Sequence, residues 1–414
     1  MVTRQILVGS NSSTVKSHNM RAILLALLKQ AYVSRVQLAE LTGLSTTTIT
    51  NLVTELLDQG LVVEEGTNLL ERQPGAGRPR KALRLVPEAR YAIGIHIGVG
   101  SVRVAITDLR AHIIEQYSFA HPLDQPAESV LEQTVELINQ AIDQSNISRG
   151  TIVGIGVGAS GLVNPTTGIN LLAPNLNWRD VLIRDWLAER LNLPVCMDNN
   201  VRTMALGEAL FGAAKDVRVV AFVYGRIGVG AGFVVDGQLF RGSGAGAGEI
   251  GHTTFIAEGG AVCRCGNTGC LETLVSEPVI VQQAGPLIPT NGTKPLTIQT
   301  IFEAARAGNE AIQAMLVQRA RYMGIALANL VNVLNPELIL LGGIFAQGQD
   351  LLMPTIEATM RERAFANLGQ SVRLQPTSFG TSAGVIGGAA LALTNFFYQQ
   401  DGIYAPYQLS EVLA

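Results

Sequence analysis

The chain has 414 residues, 47% of them apolar, 5% aromatic and 44 of them glycine, enough for two or three α/β domains with a core each. A net charge of −3 excludes a uniformly basic protein, and four cysteines, three of them within one short loop, exclude a disulfide framework. No run of about eighteen uncharged apolar residues is expected to span a membrane, and MVTRQILVGS lacks a signal-peptide core, so the reading is cytoplasmic.

The charge is unevenly spread. Residues 1–90 hold eleven Lys/Arg against seven Asp/Glu, a balance of +4, which leaves −7 for the rest. Within that basic segment, Met20–Lys29 reads as a short apolar helix. Ser34 and Gln37 form a capping box for a second helix, followed by the turn residue Gly43. Ser45 caps a third, whose apolar positions Ile49, Leu52, Val53, Leu56 and Leu57 recur at helical spacing. Capped helices around a glycine turn predict a helix-turn-helix. The third helix would enter the major groove, presenting Ser45, Thr46, Thr47, Thr48, Thr50 and Asn51. Threonine can touch a thymine methyl, and asparagine can pair with adenine. After Gly60 an alternating segment around a Gly/Pro-rich tip predicts a β-hairpin wing carrying Arg78, Arg80 and Lys81 toward phosphates. Pro87 marks the end of this winged domain, residues 1–87.

Tyr91–Leu109 predicts two strands joined at Gly98-Val99-Gly100, followed by a helix over Val130–Ile142, a buried strand over Ile152–Val157 and a loop from Gly158 to Trp178. Val219–Val235 again reads as strand, glycine turn and strand, with a later strand at Leu338–Leu341. Two glycine-turn hairpins, each opening an α/β half, predict a two-lobed body with a cleft between. Between the later elements lies GEIGHTTFIAEGGAVCRCGNTGCLE, Gly248–Glu272. Cys263, Cys265 and Cys270, with His252 ahead of them, form a Cys3His set that suits tetrahedral Zn²⁺ with no open position, hence a structural ion. Glu249 and Glu272 bracket it.

GRPRKALRL followed by IGIHIG, then DNNVRTMALGE, GEIGH, CRCGNTGCLE and LNPELILLGG span nearly the full length. By these motifs the chain resembles the ROK family of repressors and sugar kinases, in its branch with an N-terminal winged helix. The resemblance implies an actin/hexokinase-like body of duplicated, ribonuclease-H-like lobes: residues 88–200, completed by a helix at about 383–400, and residues 201–382, which would also carry the dimerisation surface. It implies a sugar held by Asn199, Asn200, Glu249, His252 and Glu272. The family's catalytic Asp falls on Asn200, a carboxamide that cannot accept a proton. An Asp that helps place Mg-nucleotide in the kinases is His96, and a small hydroxyl residue is Arg226.

The expectation is therefore a transcriptional regulator, not an enzyme: a repressor of carbohydrate genes binding a double-stranded DNA operator. It would respond to a sugar or sugar phosphate and work as a homodimer or tetramer away from any membrane. A sugar kinase with a fused DNA-binding domain, or a sensor governed by a sugar-transport protein, are the alternatives.

Overall fold

The computed structural model describes residues 12–66, 81–288 and 295–398. It begins with α1 (Ser12–Lys29), which starts eight residues before the apolar pattern does; in its polar first half Lys16 pairs with Glu55 at 2.8 Å. Then come α2 (Arg35–Thr42) and α3 (Thr46–Asp58). The Ser34/Gln37 capping box is formed, and Gly43 adopts φ 70°, the left-handed cap that glycine takes at little cost. Strands β1 (Val62–Glu65) and β2 (Ala82–Leu85) pair antiparallel to make the base of the wing. Its tip, with Arg78 and Arg80, lies outside the described residues.

The first lobe contains β3 (Tyr91–Gly98), β4 (Ser101–Asp108), β5 (Ile113–Ala120), α4 (Ala127–Ser145) and β6 (Ile152–Ala159). Where a loop was expected, β7 (Leu162–Asn164), β8 (Ile169–Ala173) and β9 (Trp178–Val181) build a small sheet. Its tight turn is held by Asn164, whose Oδ1 accepts from the Thr166 amide at 3.0 Å, and by Gly168 at φ 72°. Next are α5 (Ile183–Leu191) and β10 (Val195–Asn199).

Helix α6 (Asn200–Phe211) leads into the second lobe: β11 (Val219–Gly225), β12 (Val229–Val235) and β13 (Gln238–Phe240), then the cysteine loop. Helices α7 (Glu272–Val275), α8 (Glu277–Ala284), α9 (Ile298–Arg306) and α10 (Glu310–Leu334) precede β14 (Leu338–Gly343). After α11 (Ile344–Gln347), α12 (Gln349–Arg363) and α13 (Leu368–Ser371), β15 (Arg373–Pro376) ends the sheet, and α14 (Ala383–Leu393) closes the fold.

The two large sheets run β5-β4-β3-β6-β10 and β13-β12-β11-β14-β15. In each, three antiparallel strands come first and two parallel strands are added on the other side of the opening strand. The same order in both lobes is the duplication.

Helices α6 and α14 pack on each other between the sheets, α14 against β3 and β6, α6 against β11 and β12. Small residues allow this approach: a Cβ on Gly156 would sit 2.0 Å from the Gly388 carbonyl oxygen. Gly380–Tyr398 is in fact long and apolar enough to pass as a membrane span, which corrects the expectation that no such run exists. It is 72% buried within the protein, and its low polarity reflects its place in the core.

The same segment ties the two parts together. Ala389, Ala392, Leu393 and Tyr398 share one apolar cluster with Ile23, Leu27, Leu38 and Val53 of the N-terminal helices. Tyr398 donates its hydroxyl to the Leu109 carbonyl at 2.7 Å, and Arg110 donates to the Leu27 carbonyl at 3.2 Å.

Candidate functional site

The cleft between the lobes brings together all five residues singled out for sugar: Asn199, Asn200, Glu249, His252 and Glu272. On the first lobe, β10 delivers Asn199 to the N-terminus of α6. Its Oδ1 accepts from the amides of Val201 at 2.9 Å and Arg202 at 3.3 Å, capping that helix, and its Nδ2 donates to the Gly161 carbonyl at 2.9 Å. One amide hydrogen is left for a ligand. Asn200, the next residue and buried, points its Nδ2 at Ser160 Oγ, 3.3 Å away, and at His96 Nε2, 3.4 Å away.

His96 ends up neutral. Burial drives its pKa down to about 3, helped by the positive charges of Arg103 and Arg226. Its Nδ1 has no hydrogen-bond partner among the described residues. Gly384 of α14 lies against the ring, where a Cβ would be 2.5 Å from Cγ.

The opposite wall is acidic. Glu272 Oε2 accepts from the Val229 amide at 3.0 Å, which fixes the carboxylate against the second glycine hairpin. Burial raises the Glu249 carboxyl above its ordinary value, opposed by the charges of His252 and Arg202 and reinforced by Glu272.

Behind this wall, one ligand atom each from His252, Cys263, Cys265 and Cys270 gathers within 4.8 Å. Cys265 and Cys270 Sγ are 3.8 Å apart, and Cys263 Sγ is 3.7 Å from His252 Nδ1. Thiolates at about 2.3 Å from a tetrahedral Zn²⁺ stand roughly 3.8 Å apart, so the donor set fits that ion. The loop needs its glycines: Gly266 and Gly269 have φ 93° and 69°, and a Cβ on Gly269 would meet the Ile256 carbonyl oxygen at 1.9 Å.

Sequence reasoning missed the charged frame beneath the cleft. Buried Asp198 accepts from Arg202 Nε at 2.6 Å and Arg241 Nε at 2.7 Å. Arg202 also donates to the Ala245 carbonyl at 2.8 Å, just ahead of the Glu249 segment. An Asp and an Arg four apart inside an otherwise uncharged stretch were the available signal. Arg264, between two metal-loop cysteines, was missed too. It donates to Asn175 Oδ1 at 2.8 Å, joining the cysteine loop to the segment between β8 and β9 across the cleft mouth.

On the recognition helix, Thr46, Thr47, Thr50 and Asn51 are exposed. Ser45 caps α3 by accepting from the Thr48 amide at 3.1 Å and is 2.9 Å from Thr48 Oγ1, so these hydroxyls are engaged and Thr48 is half-buried. Thr50 Oγ1 donates to the Thr46 carbonyl at 2.8 Å. Lys81 pairs with Glu64, as does Arg35.

The body and the N-terminal helices each have known counterparts. The ROK family profile matches residues 92–395, and a winged helix-turn-helix DNA-binding profile matches residues 16–63. The xylose repressor of Bacillus subtilis is 30% identical over 388 residues, covering 94% of this chain and 98% of that protein. A crystal structure of a ROK family transcriptional regulator, a homologue of the E. coli Mlc protein, superposes with TM-score 0.78 at 29% identity over 93% of this chain and 97% of that one. A ROK family glucokinase from Streptomyces griseus, solved with glucose and AMPPNP, superposes with TM-score 0.67 at 26% identity, covering 74% of this chain and all of its own. The chain belongs to the ROK family, and joins that family's two-lobed body to an N-terminal winged helix-turn-helix.

Proposed function

We propose that the protein is a sugar-responsive repressor whose cleft recognises a sugar without phosphorylating it. One observation carries this reading. At the position where phosphoryl transfer needs a carboxylate to take the hydroxyl proton stands Asn200, and the group beside it, His96, is a buried neutral imidazole. Losing a general base lowers a rate by about 10²–10⁴-fold. Recognition does not need that base. Glu249, Glu272 and the free edges of Asn199, Asn200 and His252 can still hydrogen-bond vicinal hydroxyls.

His252, Cys263, Cys265 and Cys270 would hold Zn²⁺, which would supply no chemistry here but stiffen the loop from which His252 and Glu272 face the sugar. His252 Nδ1 turns to the cysteines, so the other ring nitrogen is the one available to a ligand.

The response would travel along α14. One end of this helix abuts His96, and the other shares its apolar cluster with the DNA-reading helices. A sugar that binds one lobe arrangement better than another would thereby bias the winged domain, and two such domains in a homodimer would read two operator half-sites in the cytoplasm.

Operator fragments selected from genomic DNA provide the test. Operator affinity should change at least about tenfold with one sugar or sugar ester from a panel, a coupling of about 1.4 kcal/mol. Asn51→Ala should cost the operator about 1–3 kcal/mol. Operator binding indifferent to every member of the panel would contradict the reading.

A further inference from the structure

Two cavities open along α1 where the winged domain rests on the body, and they differ in charge. The larger, of about 400 Å³, lies toward α6 and the turn between β12 and β13. Its charges are matched: Lys29 pairs with Asp216, and Arg218 Nε lies 2.9 Å from Asp236 Oδ1. The smaller, of about 240 Å³, is walled by Met20 and Leu24 of α1, Leu56 of α3, Val153 of β6, and Phe396 and Phe397 beyond α14. Two guanidiniums line it, those of Arg21 and Arg90, and among the described residues no carboxylate does.

Among the described residues Arg21 makes no hydrogen bond or ion pair, and burial lowers its guanidinium's pKa. Arg90 donates one N–H to the Ala89 carbonyl at 2.6 Å, which leaves most of its fork unused. Tyr398 also lines the cavity, but its hydroxyl is committed to the Leu109 carbonyl, so it offers its ring. A positive charge drawn partly out of water with no counter-charge is a cost that an anion would relieve. A guanidinium accepts a carboxylate as a planar, two-pronged partner. A small inorganic anion would leave the aromatic end unfilled, and a neutral apolar molecule would leave the arginines unpaired. Both demands are met by a carboxylate on an apolar body.

We propose that this cavity is a second effector site, separate from the cleft, for a small monocarboxylic acid with an aliphatic or aromatic body. The carboxylate pairs with Arg21 and Arg90, and the apolar body lies against Leu24 and Phe396. The walls belong to both parts of the molecule, α1 and α3 on one side and β6 and the end of α14 on the other. An acid seated there favours the arrangement that forms the cavity over any in which the winged domain has moved off the body. Operator affinity then shifts by as much as the acid's affinity differs between the two. The inference does not depend on the cleft's being a sugar site.

The test is calorimetric titration of the full-length protein with hexanoate, octanoate, benzoate and phenylacetate, with the primary amide of each, and with inorganic phosphate. At least one acid should bind, and its amide should bind about tenfold or more weakly. Arg21→Ala should weaken the acid by about tenfold or more and Arg21→Lys by less, while Arg226→Ala, in the cleft, should leave it unchanged. Saturating acid should move operator affinity at least about fivefold. Failure of every acid to bind the wild-type chain would overturn the proposal. So would amides or phosphate bound as tightly as the acids. Acid binding lost with Arg226→Ala and kept with Arg21→Ala would place the ligand in the cleft and overturn the site. Binding that emerges only when Asp401→Asn and Glu411→Gln are combined would assign the arginines to the chain's own carboxylates instead. An acid that binds without moving operator affinity would overturn its role as an effector.

Discussion

The two lobes share one strand order, yet the walls they give to the cleft have opposite chemistry. The first-lobe wall is built from short neutral groups at strand ends, Asn199, Asn200 and His96, each already engaged with or packed against its own scaffold. The second-lobe wall is built from a long loop, inserted after β13, that carries two carboxylates and a His/Cys3 cluster able to hold a metal ion. A duplicated fold therefore sets where a cleft forms and leaves its chemistry to the connections. Here the wall of Asn199, Asn200 and His96 is neutral, and the facing wall carries both carboxylates.

Removing the strut between the walls should have the largest effect. Arg202→Ala would strand buried Asp198 with Arg241 alone and free the segment ahead of Glu249, so unfolding in urea should lose about 3–5 kcal/mol. A loss below 1 kcal/mol would mean that the two walls are independent.

A smaller effect should come from the acidic wall. Glu272→Gln keeps the shape but removes the charge held by the Val229 amide, and should weaken ligand binding by about 1.5–3 kcal/mol with the fold intact. Cys263→Ser tests the same wall from behind: zinc content measured by mass spectrometry should fall below one ion per chain, and effector response should fall with it.

The mildest test concerns the neutral wall. His96 has a folded pKa of about 3, below the unfolded value of about 6.5, so both states are neutral above pH 6.5 and the group is then indifferent to pH. As pH falls from 6.5 toward 3 the unfolded chain binds a proton that the folded one refuses, and stability should drop by about 1.4 kcal/mol per pH unit. His96→Gln should flatten that part of the stability profile. An unchanged slope would mean that the imidazole is charged in the folded protein and that the wall is not neutral.

Much of this was legible in the sequence because it depends on local chemistry. The Ser34/Gln37 capping box, the glycines of the cysteine loop and the two glycine hairpins each follow from what neighbouring residues can do. The cysteine cluster was legible from its spacing, whereas the reading of Asn200 came from the family resemblance alone. Features that depend on long-range packing were hidden. The edge strand β5, half-buried and exposed by turns, takes its identity from pairing with β4. The small sheet β7–β9 consists of strands too short to show a period. The Asp198–Arg202–Arg241 frame joins residues up to 43 positions apart, and only the fold brings Arg241 to it. The apolar run of α14 was overlooked, and its composition follows from its packing between two sheets, which leaves no polar face to display.

Whether this cleft binds sugar without phosphorylating it can be measured directly. Zinc-replete protein is incubated with Mg²⁺, γ-labelled ATP and the sugar panel used for operator release, and labelled sugar phosphate is counted. No transfer above the uncatalysed background is expected for any sugar, alongside an operator affinity that shifts with a member of the panel. Sustained, enzyme-dependent formation of a sugar phosphate by the wild-type chain would contradict it.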